Sequence, residues 1–423
     1  MADIKISDLN LKICKYKVEK VTLTIPSYGE HDVNPLYIYT FEIGKEYEDY
    51  MYPYFRMRFT VPNKVYRKML RNNQKITAYV RISYALFSQS EIASDISNVK
   101  AKNFISDNFI VFAPDNSPPM TEALDEEAEK ANSGSGELQN STDIEVLLMK
   151  KSSLTIHDKI VNCITGPGTL MDILTLLLNR SGLKNVLCSP PDNKDTYNQF
   201  ILPPIRLDEQ IHHICNDYAF HKSGTLLFFD FDTTYIISKD EKCTAWKSGE
   251  YKYTKLLYNP PEETGEVTQG VCEDSKNRIN YCTFCKASVE SQSMITDQVY
   301  GTGFNIVDNV TGKVTVVQAD TKTIDNTKKV TRTLISSTGS SDTASALNAR
   351  ISEESSTIQL AIDNVYLPML NPNKQFDILF LSSNLSSYSG KYRIRTAFTT
   401  FNKSDGEWFT PSTMATFYGK PNK

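Results

Sequence analysis

The chain has 423 residues, 40% of them hydrophobic, 11% aromatic and 23% charged, so it is globular, not disordered, with room for roughly two to four domains. A formal net charge of −4 argues against a protein whose main task is gripping phosphate backbone, which needs a basic footprint. The 23 Tyr and 20 Phe beside 2 Trp, with frequent Ser and Thr, bias the composition toward strands.

The opening MADIKISDLNLK lacks the apolar core of a secretory signal. No apolar run is long enough to span a bilayer, since the most apolar helix is broken by Asp172 and lasts about three turns. Eight cysteines (Cys14, Cys163, Cys188, Cys215, Cys243, Cys272, Cys282, Cys285) are scattered, several within apolar runs, and read as reduced core thiols of a soluble protein made in a cytoplasm.

Residues 1–113 read as a β module carrying one helix. FRMRFTV alternates, with Phe55, Met57, Phe59 and Val61 on one face and Arg56 and Arg58 on the other. Pro62 opens a short helix, NKVYRKMLRNN, whose Val65, Met69, Tyr66 and Leu70 are expected to cover a sheet. KITAYVRISYA is a second alternating strand with Ile76, Ala78, Val80 and Ile82 inward. Residues 114–142 are rich in Pro, Ser, Gly, Asp and Glu and read as an acidic disordered linker, unable to bury enough surface to offset ordering entropy. IEVLLMKK then begins a strand return to the first module at about 143–160.

The most strongly patterned stretch lies within 163–240. Leu170, Ile173, Leu174, Leu177 and Leu178 recur at helical spacing behind Thr169, a candidate N-cap, and Asn179 to Gly182 closes the helix. After the Pro203-Pro204 break a second helix presents Leu207, Ile211, Ile214, Cys215 and Tyr218, with Asp208 and Glu209 favourably placed at its positive end. TLLFFD and TTYIIS form a hairpin around Phe231-Asp232. Residues 241–423 return to β patterning, with a polar excursion at about 320–356; in KYRIR, Tyr392 and Ile394 oppose Lys391, Arg393 and Arg395. The fold class expected is α+β, two antiparallel β-barrel modules flanking a helix–helix–hairpin domain.

Chemistry is sparse. Cys282-x-x-Cys285 is the one metal-ligand candidate pair, but it sits in a strand-like segment, and Cys243 and Cys272 complete no zinc spacing. Structural thiols are the favoured reading. His212 and His213 invite a catalytic or metal role with Cys215 and Asp217, yet adjacent residues do not share a helical face. Asp230 and Asp232 could pair as in glycoside hydrolysis but sit where turn chemistry alone favours Asp. GSG at 134–136 lies in the linker, DEEAE at 125–129 reads as solvated, and no GxSxG, HExxH or phosphate-cradling motif occurs. No catalytic residue and no cofactor is assigned.

The run TLMDILTLLLNRSGL, FILPPIRLDEQIHHICNDYAFHKSG and FFDFDTTYIIS resembles the central hub proteins of contractile phage baseplates at Pro203, Pro204, Leu207, Ile211, Tyr218, Phe220, Phe229, Asp230 and Tyr235, all fold-forming positions. The closing segment, with Tyr388, Gly390 and Tyr392 leading a returning strand, is similar to the last barrel of those proteins. The resemblance implies two barrels like tail-tube subunits and a homotrimer forming a pseudo-hexameric ring. The ring would join the tail tube protein to the central spike protein among other baseplate proteins, with DNA passing without specific binding. It implies a virion protein assembled in the host cytoplasm, not an enzyme. Arg56, Arg58, Arg393 and Arg395 are the candidates for the lumen or an interface. The rival readings are a tail-associated cell-wall hydrolase, a carbohydrate-binding tail protein, and the hub of a phage-derived bacteriocin or injection system.

Overall fold

The computed structural model describes residues 5–26, 28–48, 51–72, 75–88, 101–112, 141–183, 185–218, 220–221, 224–238, 253–259, 269–290, 301–308, 314–318, 329–336, 357–365, 367–381 and 384–421. The chain runs through β1 Lys12–Ile25, β2 Gly29–Val33, β3 Ile38–Glu46 and β4 Tyr54–Pro62 into helix α1 Asn63–Arg71. β5 Thr77–Ser88, β6 Lys102–Phe112 and β7 Ser141–Lys150 follow, and α2 Lys151–Asp158 continues directly from β7. Next come β8 Ile160–Thr165, β9 Gly168–Thr169, α3 Leu170–Ser181, β10 Val186–Cys188, β11 Thr196–Tyr197, β12 Phe200–Arg206, α4 Leu207–Asp217, β13 Thr225–Phe229 and β14 Thr234–Ser238. The remainder is β15 Tyr253–Tyr258, β16 Val271–Asp274, β17 Ile279–Phe284, β18 Lys286–Glu290, β19 Gly301–Asp308, β20 Val314–Gln318, β21 Lys329–Ser336, β22 Thr357–Asp363, β23 Gln375–Leu379, β24 Gly390–Asp405 and β25 Trp408–Pro421.

Alternation drives the first strands as expected. Phe55, Met57, Phe59 and Val61 are buried while Arg56 and Arg58 are exposed, and Ile76, Ala78, Val80 and Ile82 all point inward. On α1, Val65, Tyr66 and Met69 are buried, but Leu70 is exposed, because the covered stripe of this short helix is too narrow to take it.

One 15-stranded sheet follows the order β16-β17-β15-β23-β24-β3-β4-β7-β6-β5-β1-β25-β22-β18, with β2 on β1. A single pair, Lys12 with Val271, joins β1 to β16 and closes an 11-stranded barrel. β25, outside that circuit, pairs along β24 and also meets β1 at Tyr16 and Lys17, so it bridges two strands of the barrel. Two hydrophobic clusters fill the barrel region. The first gathers Tyr16, Phe41, Phe55, Phe59, Phe109 and Phe401; the second gathers Leu256, Phe284, Leu360, Phe376, Tyr392 and Phe417.

Three features depart from the sequence reading. The stretches 1–113 and 241–423 share hydrogen bonds, with β3 paired to β24 and β1 to β16 and β25. Local hairpins leave sheet edges that must be covered, and here the cover comes from far along the chain, which local patterning does not register. The barrel is also not purely antiparallel, since β15 pairs in parallel with both β17 and β23; outside it, β19 pairs in parallel with β21 in a separate three-stranded sheet. Finally, the return at about 143–160 is a strand only to Lys150; KSSLTIHD turns helical, burying Ser153 and Ile156 against the third cluster. Of the 114–142 linker only 141–142 fall within the described residues, and of the 320–356 excursion only 329–336, as β21.

The third cluster unites α2, α3, α4 and the β8–β12 ribbon through Ile156, Leu174, Leu177, Phe200, Leu207, Ile211, Ile214 and Phe220. Thr169 caps α3: its Oγ accepts the Asp172 N–H at 3.3 Å, and the Asp172 carboxylate accepts the Thr169 N–H at 2.8 Å. Gly182 ends the helix at φ 78°, a left-handed cap. Pro203 and Pro204 lie inside β12, not in a break between helices. They occupy the register shift between Leu202 and Ile205 opposite β8, the place in a ladder where residues without an N–H are tolerated.

Candidate functional site: the hairpin shared by three cores

The β13–β14 hairpin is buried at every strand position, which a two-sided alternation explains. Leu226, Phe228, Tyr235 and Ile237 enter the second barrel cluster, while Leu227, Phe229 and Ile236 enter the helical cluster. The tip residue Phe231 belongs to the first barrel cluster, its ring 6.0 Å from Phe55 and 5.8 Å from Phe109. Eight residues of the hairpin thus enter the three cores, each gaining about 25 cal/mol per Å² of apolar burial.

The connection between β3 and β4, together with the start of β4, makes the same three contacts. Tyr47 packs on Phe228 in the second cluster and donates its hydroxyl to the Leu370 carbonyl at 3.1 Å. Met51 and Tyr52 lie against the helical cluster, where the Met51 carbonyl accepts the Phe229 N–H at 2.7 Å and Tyr52 stacks on Phe229 at 5.3 Å. Phe55 then enters the first cluster.

Ion pairs fasten the tip. Lys45 Nζ lies 2.6 Å from Asp230, both largely shielded from water, and 5.6 Å from the Phe231 ring centroid. Lys150 bridges Asp107 at 2.7 Å and Asp232 at 3.0 Å. Burial opposes the Lys150 charge, but hydrogen bonds and charge from the two aspartates outweigh it and raise its pKa. Burial, then the Asp230 carboxylate, holds the Tyr47 and Tyr235 phenols above their ordinary range. A cleft of about 440 Å³ runs beside the tip, lined by Asp107, Lys150, Ser152, Leu183, Asn185 and Asp232 among others.

A second fastening lies at the start of α4. The Asp208 carboxylate is 1% exposed and accepts from the Tyr52 hydroxyl at 3.0 Å, His157 Nδ1 at 3.1 Å and the Glu209 N–H at 2.9 Å. Arg206 donates to His157 Nε2 at 3.1 Å, which assigns the His157 proton to Nδ1. Burial, with Asp208 adding to it, raises the Tyr52 phenol. Arg206 also pairs with Glu209 at 2.7 Å and lies 3.5 Å from Asp208.

The expected site residues divide accordingly. Phe229, Asp230 and Tyr235 meet in the junction, while Leu207 and Ile211 are core and Tyr218 packs on Phe200 at 4.8 Å. His212 hydrogen-bonds Asn216 and His213 pairs with Asp217, each along its own helix face. Cys282 is a buried core thiol pushed up to about 12 by burial, whereas Cys285 accepts from Gln269. Among the described residues no group of three or more His, Cys, Asp or Glu is placed to hold a metal ion, and no helix is long and apolar enough to cross a membrane.

The four arginines are not brought together. Arg56 and Arg58 are exposed and lie 3.8 and 3.9 Å from Glu145 and Asp143 on β7. Arg395 reaches Glu48 at 3.4 Å, and Arg393 is buried, contrary to its expected place on an exposed face. Both faces of β24 are covered there, since Tyr392 and Ile394 are buried as well. Lys45, Lys150, Phe231 and Tyr52 were not legible as site residues; the one signal was an aromatic between two aspartates in a turn, FFDFD.

A family model described as Bacteriophage PBS1 gene 109 protein matches residues 15–414. No curated protein matches the sequence. Among solved structures, the tail protein from Neisseria meningitidis MC58 is similar at TM-score 0.54 and 10% identity, over 96% of this chain and 97% of that one. The 43 kDa tail protein of prophage MuSo2 from Shewanella oneidensis is similar at TM-score 0.50 and 11% identity, over 93% and 98%. The lidded Francisella PdpA–VgrG complex is similar at TM-score 0.52 and 10% identity over 98% of this chain, which spans 55% of that chain. At these identities the likeness is one of fold: the chain folds as these tail proteins do.

Proposed function

The chain belongs to the family of the bacteriophage PBS1 gene 109 protein, and on that premise we propose that it is the structural hub of a contractile tail baseplate. In this reading three copies form a pseudo-hexameric ring that joins the tail tube to the central spike, in the virion, with no reaction performed. The observation that carries it is the pairing circuit. β25 bridges β24 and β1 of an 11-stranded barrel circuit that has two separate hydrophobic clusters, which supports two tube-like barrels per chain sharing strands. Two barrels per chain and three chains make six, the number a hexameric tube end requires; a cyclic assembly of this kind closes by heterologous contacts. The hairpin shared by three cores supports a rigid load-bearing part.

The fold likeness to a PdpA–VgrG chain also favours the second reading, a hub of a related injection device, since this chain superposes on about half of that longer one. Molar mass by light scattering, alone and with tube and spike proteins, tests either. A mass near three times the 47.9 kDa protomer is expected. A strict monomer under all these conditions contradicts both.

A further inference from the structure

The base of the hairpin is held by one histidine. His221 is 1% exposed, and its Nδ1 lies 2.9 Å from Thr225 Oγ1 while Nε2 lies 2.9 Å from Ser189 Oγ and 3.3 Å from the Ser189 carbonyl. Ser189 Oγ also accepts the Ser238 N–H at 2.8 Å, and the Thr225 hydroxyl donates to the Cys215 carbonyl at 3.4 Å. A neutral ring satisfies this chain when Ser189 donates to Nε2, Nδ1–H donates to Thr225, and Thr225 donates to Cys215.

Through it three pieces meet at the hairpin's first rung, where Thr225 pairs with Ser238: the segment after β10, the end of α4 and both hairpin strands. A second proton goes on Nε2, turns the Ser189 hydroxyl hydrogen away and leaves the Nε2–H the longer contact to the Ser189 carbonyl at 3.3 Å. The resulting cation would sit in an apolar cluster with the Phe220 ring 4.8 Å away. Among the described residues the charged group acting on the ring is Asp192 on the segment after β10; the hairpin offers the uncharged Thr225, which reaches the Cys215 carbonyl of α4, and the Cys215 thiol is kept neutral by burial. Burial lowers the His221 pKa and outweighs Asp192 and the Ser189 and Pro190 backbone, which raise it.

We propose that this staple is a proton-sensitive release for the base of the shared hairpin: protonation of His221 opens the Thr225–Ser238 end while the Phe231 tip stays keyed in the barrel. The inference rests on the hairpin geometry and stands apart from the hub reading. The sign follows from linkage. A histidine whose folded pKa lies below its unfolded value of about 6.5 contributes stability fully above pH 6.5, which is lost as pH falls through the folded pKa. Between pH 8 and 5.5 the opening equilibrium rises by up to about elevenfold, the ratio of protonated plus neutral to neutral histidine in the opened state. Carboxylates at ordinary values titrate below this window.

Hydrogen exchange on the full chain at pH 8 and 5.5, corrected for intrinsic rates, reads this over residues 224–238. The expected result is a severalfold rise in opening for wild type, confined to the hairpin base, and no rise in His221→Gln. If that variant does not fold, exchange at the imidazole C2 position of wild type supplies the second test, with His221 titrating below the ordinary histidine value. An unchanged opening equilibrium, the same rise in His221→Gln, or an ordinary titration of His221 overturns the proposal.

Discussion

Phe231→Ala is the most informative single change. A turn aromatic in solvent would cost a few tenths of a kcal/mol, within the ±0.5 kcal/mol of ordinary surface substitutions. Phe231 is instead 8% exposed, edge-on to Phe55 and Phe109, with the Lys45–Asp230 pair over it. Truncating a buried Phe costs about 3–5 kcal/mol, through lost transfer energy and a cavity. The loss falls on the contact that ties the hairpin to the first barrel cluster, since the strands of the hairpin remain in the other two. Urea unfolding followed by hydrogen exchange is the assay, because a chain with three cores need not unfold in one step. We expect exchange protection to fall in β4 and β6, which carry Phe55 and Phe109, and at the tip, by the equivalent of about 3 kcal/mol. A change below about 0.5 kcal/mol would refute the keyed tip.

Three further outcomes follow from neighbouring geometry. Asp230→Leu alone leaves Lys45 shielded and unpaired and should destabilise by about 2–4 kcal/mol, while adding Lys45→Met restores most of that; denaturation midpoints of the two variants and wild type measure it. Gly270→Ala should weaken the barrel closure by about 1–3 kcal/mol, because a Cβ there would lie 2.7 Å from the Lys12 carbonyl beside the single β1–β16 pair; increased exchange in β16 reports it. In the native state a thiol reagent should label Cys163, Cys188 and Cys285 well before the buried Cys14, Cys215 and Cys282, and metal analysis should find under about one-tenth equivalent of zinc, read by mass spectrometry and elemental assay.

What was legible in the sequence is what repeats locally. Period-two runs such as 55–61 and period-3.6 runs such as 170–178 place their own buried faces, and Thr169 and Gly182 mark a helix by capping chemistry. Strand exchange between the two ends of the chain was not legible, because β3 and β24 find each other through ladder hydrogen bonds that carry no residue code. Arg393 illustrates the limit of alternation: the pattern assigns it a face, but only the neighbouring strands decide whether that face meets water. The junction was half legible. A hairpin buried on both faces reads as an unbroken apolar run, TLLFF, which does not say that its alternate residues serve different cores. Lys45 and Lys150 pair across 185 and 82 residues, distances at which sequence spacing says nothing.

The central claim, a hub built from two tube-like barrels per chain, is tested most directly by electron microscopy of the purified protein with its tube and spike partners. The account predicts a ring with three-fold averages that show six similar lobes around an open channel, coaxial with the tube. Isolated particles without a channel, or a ring whose lobes number other than six, would contradict it.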